Sequence, residues 1–387
     1  MKKGARLSIL TLLGVTTACA GSTPSPTPLP PSPWVEEEVT FSFGANQLYG
    51  ILTLPTGGGP FPAIVLVSGS INTSTGVRSG ALSPYLIDHA HNMVLRGFAV
   101  LRYDPPGVGQ SSGESGFEPL DLRAEEAAAA LQFLRSRPDI RPDRVGLWGE
   151  SQGAWVIAKA AARYAQDVAF VISVSGSGVS VAAQQWYSIE AQSRAAGMTE
   201  EEVVQAALFG RVLIDWQLAT PTYREENEEA AQYLGKEGPW TQFMALVYEP
   251  GEITPAESLR MGLEILKSVQ DEPWAKFLYL KELYIPQLES IPPDQVEALG
   301  AVVGPTMLED PGEYWTKVQC PVLAIWGEDD LLQPTARSAR LYEYYLTQAG
   351  NKRLEKVVLP GVGHSISMST RRYREELSKW LDELYPE

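Results

Sequence analysis

The stretch Val145-Gly-Leu-Trp-Gly-Glu-Ser-Gln-Gly153, continued by Ala154-Trp-Val-Ile-Ala-Lys-Ala-Ala-Ala-Arg163, constrains this chain more than any other. Val145 to Trp148 reads as a short buried strand, Gly149 to Gly153 as a G-x-S-x-G turn, and the Ala-rich run as a helix. A strand that becomes a helix within so few residues needs a sharp elbow. The flanking glycines leave room where a Cβ would collide with the neighbouring strand and helix. The serine then sits in a strained conformation at a helix N-terminus, which makes Ser151 the candidate nucleophile.

A second G-x-S-x-G, Gly109-Gln-Ser-Ser-Gly113, shows that the pattern alone is not sufficient. It follows Asp104-Pro105-Pro106 and runs into Gly113-Glu114-Ser115-Gly116. No strand enters it directly and no helix leaves it, so it reads as a loop and Ser111 as a loop hydroxyl.

Around the elbow, apolar strands alternate with helices. Val39 to Phe43 and Leu48 to Leu54 read as an antiparallel pair, Ala63 to Val67 as a strand buried on both faces, and Ala99 to Tyr103 as the next. Helices are expected at about Ser83 to Arg96 and, behind an Asp121 cap, to Leu134. Beyond the elbow helix comes a strand at Val168 to Val174, then Ser175-Gly-Ser-Gly178. This alternation predicts right-handed βαβ units and a mostly parallel, doubly wound α/β sheet with helices on both faces.

The pattern stops between residues 179 and 318, where the sequence reads as helical and polar, with a Thr199 to Glu202 capping box and a Pro221-led helix. It resumes at Pro321 to Trp326, a helix at Ala336 to Leu346, a strand at Lys356 to Leu359 and an amphipathic helix from Thr370 to Leu384. The expected organisation is therefore one core, residues 34–178 and 319–387, interrupted by a helical cap, residues 179–318. Such a cap would lie over the C-terminal edge of the strands, where open α/β sheets bind ligands. Its rings, Trp186, Tyr187, Trp216, Trp240, Phe243, Trp274 and Tyr279, are read singly as core and collectively as a candidate pocket lining.

A net charge of −16 over 387 residues argues against a nucleic-acid partner, because phosphate binding is carried by clustered Lys and Arg. Residues 1–19 have the basic start and short apolar core of an export signal, too short for a stable bilayer span. They end in Thr16-Thr17-Ala18-Cys19-Ala20-Gly21, which resembles a bacterial lipobox with Cys19 as the lipidated residue, although an aliphatic side chain usually stands where Thr16 does. Residues 20–33 form a Pro/Ser/Thr tether. The expectation is an exported protein whose membrane contact is an N-terminal lipid anchor. Cys320, the other of two cysteines, reads as a buried small hydrophobe.

Several pieces in one order resemble the α/β-hydrolase fold, and within it bacterial esterase-like members related to dienelactone hydrolases and prolyl-oligopeptidase-type domains. They are Pro60-Phe-Pro-Ala-Ile-Val-Leu-Val-Ser-Gly-Ser70, Val100-Leu-Arg-Tyr-Asp104 with Gly107-Val-Gly109, Gly149 to Gly153, Cys320-Pro-Val-Leu-Ala-Ile-Trp-Gly-Glu-Asp-Asp330, and Leu359-Pro-Gly-Val-Gly-His364.

A serine hydroxyl needs a base within hydrogen-bond reach, and histidine, with an ordinary pKa near 6.5, suits the task. Of three histidines, His89 and His91 fall on a helix before the elbow and read as structural; His364 lies in a Gly-rich loop after the last strand, where this fold carries its base. The family spacing, glycine, two residues, aspartate, then proline four later, lands on Asp330, with Asp329 as the competitor. The order Ser, Asp, His is that of α/β-hydrolases. By resemblance the oxyanion donors are the N–H groups of Gln152 and Ser70. Ser68-Gly69-Ser70 stands where relatives often have His-Gly, and the loop after Asp104 lacks the arginine some relatives carry.

The resemblance implies a serine hydrolase without metal or cofactor, acting on small to medium apolar carboxylic esters through an acyl-enzyme. Peptidase, thioesterase and acyltransferase chemistry are the alternatives on the same fold, and a non-catalytic binding lipoprotein the alternative of another class.

Overall fold

The computed structural model describes residues 32–70, 80–114, 119–218, 222–235, 237–292 and 307–385. Cys19, the export signal and most of the tether therefore lie outside the described residues, as does Pro221.

Among the described residues eight strands form one sheet in the order β1-β2-β4-β3-β5-β6-β7-β8. They are β1 (Trp34–Phe43), β2 (Asn46–Pro55), β3 (Phe61–Val67), β4 (Ala99–Tyr103), β5 (Ile140–Glu150), β6 (Val171–Val174), β7 (Val322–Gly327) and β8 (Leu354–Leu359). β1 pairs antiparallel with β2, and β2 with β4; every later pairing is parallel. β1 starts five residues before the expected Val39, because an edge strand is held by backbone pairing, Trp34 opposite Pro55 and Glu36 opposite Thr53, whatever the polarity of its side chains. β6 is shorter than expected: the ladder to β7 begins at Val171, opposite Val322.

A parallel strand covered on both faces should be apolar on both, and β3 is. Along β3, Ala63, Val65 and Val67 enter one core layer while Ile64 and Leu66 enter the other. The first layer is closed by α2 (Leu120–Arg135), α3 (Gln152–Arg163) and the helix following β7, Thr335–Gln348. The second is closed by α1 (Pro84–Val94) and the C-terminal helix Arg371–Leu384. Pro119, not Asp121, occupies the N-cap of α2. Asp121 is one residue inside, where its carboxylate pairs with Arg163 and, at 2.7 Å, with Lys159. Lys159, 1% exposed, also pairs with Glu309 and so ties α3 to the chain returning before β7.

Between β6 and β7 the described residues are helical: α4 (Val181–Ala195), α5 (Glu200–Leu218), α6 (Arg224–Leu234), α7 (Pro239–Tyr248), α8 (Pro255–Val269) and shorter turns up to Gly312–Trp315. The Thr199 capping box forms, the Glu202 carboxylate accepting from the Thr199 N–H at 2.8 Å and the Glu202 N–H donating to the Thr199 hydroxyl at 3.3 Å. These helices have an apolar core of their own. Trp240, Phe243 and Trp274 are buried in it, and Trp216 packs edge-on against Phe243. Those rings hold the helices together, so the expectation that they line a pocket does not survive for them; Tyr279 is exposed.

Candidate active site

The elbow is built by close packing. A Cβ on Gly149 would lie 2.5 Å from the Gly153 carbonyl oxygen, and one on Gly153 would lie 2.5 Å from the Val67 carbonyl oxygen. With both positions bare, the chain leaves β5 and enters α3 through Ser151 alone, at φ 55° and ψ −120°. A side-chain-bearing residue at positive φ is strained, and the surrounding packing holds it there. The Ser151 N–H donates to the Val174 carbonyl at 2.9 Å, which seats the turn on β6.

His364 Nε2 lies 3.0 Å from the Ser151 hydroxyl, and His364 Nδ1 lies 2.8 Å from Asp330 Oδ2. The other Asp330 oxygen accepts from the N–H groups of Leu332 and Gln333 at 2.7 and 2.9 Å, and the side chain is fully buried. With Nδ1 donating to this carboxylate, Nε2 is left to accept the serine proton. Asp329 is exposed and its N–H donates to the Val362 carbonyl, so it has no part in this chain of contacts. Ser151, His364 and Asp330, dispersed over more than two hundred residues, thus meet at the C-terminal ends of β5, β7 and β8.

Sequence reasoning gave no such role to three residues beside them. The Ser175 hydroxyl donates to the His364 carbonyl at 2.7 Å. The Tyr187 phenol, on α4, donates to the Asp330 carbonyl at 2.8 Å, and the Gln184 amide donates to the Leu332 carbonyl at 2.5 Å. Burial first, then the Asp330 charge, holds the Tyr187 phenol above its ordinary range. One tyrosine among the many aromatics between residues 179 and 318 is conspicuous only once the α4 helix is seen lying on the loop after β7.

Gln152 opens α3, so its N–H is among those without an intrahelical acceptor. Ser70 is exposed and ends its described segment; the approach to the elbow runs through Gly69, where a Cβ would come within 3.3 Å of Ser151 Cβ. Ser111 is a loop clasp: its hydroxyl donates to the Asp104 carbonyl at 2.5 Å and accepts from the Tyr49 N–H. His89 is fully buried, with one ring nitrogen on the Tyr85 carbonyl and the other on the Tyr373 hydroxyl; desolvation lowers its pKa to about 4. His91 stacks on Trp34 beside Glu36. Cys320 is half-buried against the core, and burial pushes its thiol up to about 12. A cleft of about 330 Å³ between α4, α5 and α6 is lined by Val203, Ala207, Leu208 and Arg211 among others; none of its residues belongs to the Ser151 cluster.

The model of the alpha/beta hydrolase family matches residues 64–376. The chain belongs to the alpha/beta hydrolase family. Esterase EstD of Thermotoga maritima is 30% identical over 143 residues, 37% of this chain and 33% of its own length, so the match spans a third of that esterase. An uncharacterized 31.7 kDa protein of Escherichia coli is 22% identical over 301 residues, 78% of this chain and 83% of that one. Among solved structures, proline iminopeptidase of Mycobacterium smegmatis superimposes with a TM-score of 0.50 at 18% identity, over 90% of this chain and 98% of that one. At that identity the likeness concerns the fold alone.

Proposed function

We propose that the protein is a serine hydrolase that cleaves carboxylic esters of small to medium acyl chains through an acyl-enzyme. The observation that carries this reading is the unbroken hydrogen-bonded run from the Ser151 hydroxyl through His364 to Asp330. As Ser151 attacks the ester carbonyl, its proton passes to His364 Nε2; Asp330 keeps the imidazole in one tautomer and offsets the positive charge that develops. The carbonyl electron pair moves onto oxygen, and that oxyanion is met by the N–H groups of Gln152 and Ser70. Collapse expels the alkoxide, which leaves as an alcohol with the proton from His364. Water, deprotonated by His364, then repeats the addition on the acyl-serine and releases the acid and free Ser151. The likeness to esterase EstD over a third of that protein supports esters as the substrate class.

A panel of p-nitrophenyl esters of increasing chain length, set against aminoacyl p-nitroanilides and acyl thioesters, tests the substrate class. Turnover of esters together with fluorophosphonate labelling that is lost in Ser151→Ala is the expected result; turnover of the anilides alone would replace the esterase by a peptidase. From the N-terminal sequence alone we also propose export and lipid anchoring through Cys19. Metabolic labelling with a palmitate analogue, abolished in Cys19→Ala, is the matching test.

A further inference from the structure

Arg123 lies on α2, 3% exposed, and its guanidinium is directed into the elbow. One terminal nitrogen donates to the Gln152 side-chain oxygen at 2.5 Å, and the other donates to the Ser68 carbonyl at 2.7 Å. Gln152 is the residue after the nucleophile. Ser68 begins the Ser68-Gly69-Ser70 loop that leaves β3. One buried cation therefore grips both segments from which the two oxyanion donors are proposed to come.

We propose that Arg123 is a positioning residue for the oxyanion hole, an inference that rests on the serine-hydrolase reading above. A peptide unit is planar, so holding the Ser68 carbonyl orients the Ser68–Gly69 peptide, and only the Gly69 dihedrals separate it from the peptide that carries the Ser70 N–H. Gly69 is confined on its other side, where a Cβ would lie 2.8 Å from a Glu150 carboxylate oxygen and 3.3 Å from Ser151 Cβ. The Gln152 side chain is held from the same guanidinium, which pins the first residue of α3 against rotation. The two segments also touch directly, since a Cβ on Gly153 would lie 2.8 Å from the Ser68 carbonyl oxygen. Donors aimed in advance at a developing charge stabilise it without reorganisation, and small displacements forfeit that advantage. A planar fork with parallel N–H groups suits such a two-acceptor clamp, whereas an ammonium on a flexible stem reaches one acceptor at a time.

The role is read with a transition-state analogue. An alkyl trifluoromethyl ketone adds Ser151 to form a hemiketal oxyanion, so its affinity reports the oxyanion donors. In Arg123→Met, kcat on a p-nitrophenyl ester should fall about 10- to 100-fold with KM within about twofold, and ketone affinity should fall by the same factor as kcat/KM. The acid limb of the pH profile should stay in place, and Arg123→Lys should recover part of the loss. Gln152→Met should cost about three- to tenfold in the same two quantities, and the double variant less than the product of the singles. If Arg123→Met does not fold, Gln152→Met carries the test with the same readouts. A folded Arg123→Met, or failing that Gln152→Met, with unchanged ketone affinity, or with a loss confined to KM, overturns this inference alone. A wild type that neither turns over esters nor takes a fluorophosphonate overturns the parent reading and this one together.

Discussion

The Ser175 hydroxyl donates to the His364 backbone carbonyl over 2.7 Å, and Ser175, like Ser151 one strand away, sits at positive φ, 49° against 55°. β5 and β6 thus end in the same way. The first strand presents Ser151, the proposed nucleophile, and the second holds the loop that carries His364, the proposed base.

Ser175→Ala keeps the backbone turn but removes this bond. It should lower ester turnover about three- to tenfold through a less constrained His364, and cost about 1 kcal/mol of stability, the ordinary worth of one hydrogen bond. Steady-state kinetics alongside urea unfolding measure the two effects separately. A variant as active as the wild type would show that the loop is held by other contacts.

Asp330 and Asp329 are adjacent in sequence and opposite in environment, one fully buried on His364 and the other exposed. Asp330→Asn should lower kcat by about 10³- to 10⁴-fold, since an amide favours the wrong imidazole tautomer, while Asp329→Asn should stay within about twofold. Comparable losses in both would remove Asp330 from its proposed role.

Because Ser151 is held at φ 55°, removing its Cβ should relieve strain. Ser151→Gly should be inactive yet more stable than Ser151→Ala by about 1 kcal/mol, as a residue without Cβ tolerates that backbone freely. Equal urea midpoints for the two inactive variants would argue against strain at the elbow.

His89 gives the pH dependence of stability a definite sign. Its pKa is about 4 in the folded state, lowered by desolvation, and near 6.5 when unfolded. Above about pH 6.5 neither state binds this proton and the contribution is present in full. As pH falls toward about 4 the unfolded state gains a proton that the folded state refuses, and up to about 3 kcal/mol is lost. Urea unfolding at pH 7.5 and 4.5 should show that decline in the wild type and a smaller one in His89→Gln.

Much of the framework was legible because each local signal had one physical solution. Ala63 to Val67 reads as a strand buried on both sides, and Gly149 to Gly153 as an elbow whose two glycine positions leave no room for a Cβ. The misread boundaries share a cause, contact with chain remote in sequence. Glu36 to Glu38 look like solvent yet pair along β2, and Asp121 looks like a cap yet lies inside α2 facing Lys159. The rings of the inserted helices read singly as core and together as a candidate lining. Only their packing on one another shows that Trp240, Phe243 and Trp274 are core.

By itself the sequence determined the order of strands and helices, the bare-backbone elbow at Ser151 and the histidine and aspartate candidates, since strand and helix periodicity and glycine sterics act over a few residues. Only the tertiary structure decided that Asp330 and not Asp329 faces His364, that Ser175 and Tyr187 hold the loops carrying His364 and Asp330, and that Arg123 grips Ser68 and Gln152 at once. Those facts depend on hydrogen bonds with lengths of a few ångströms between residues tens to hundreds of positions apart, and the folded sheet alone sets those distances.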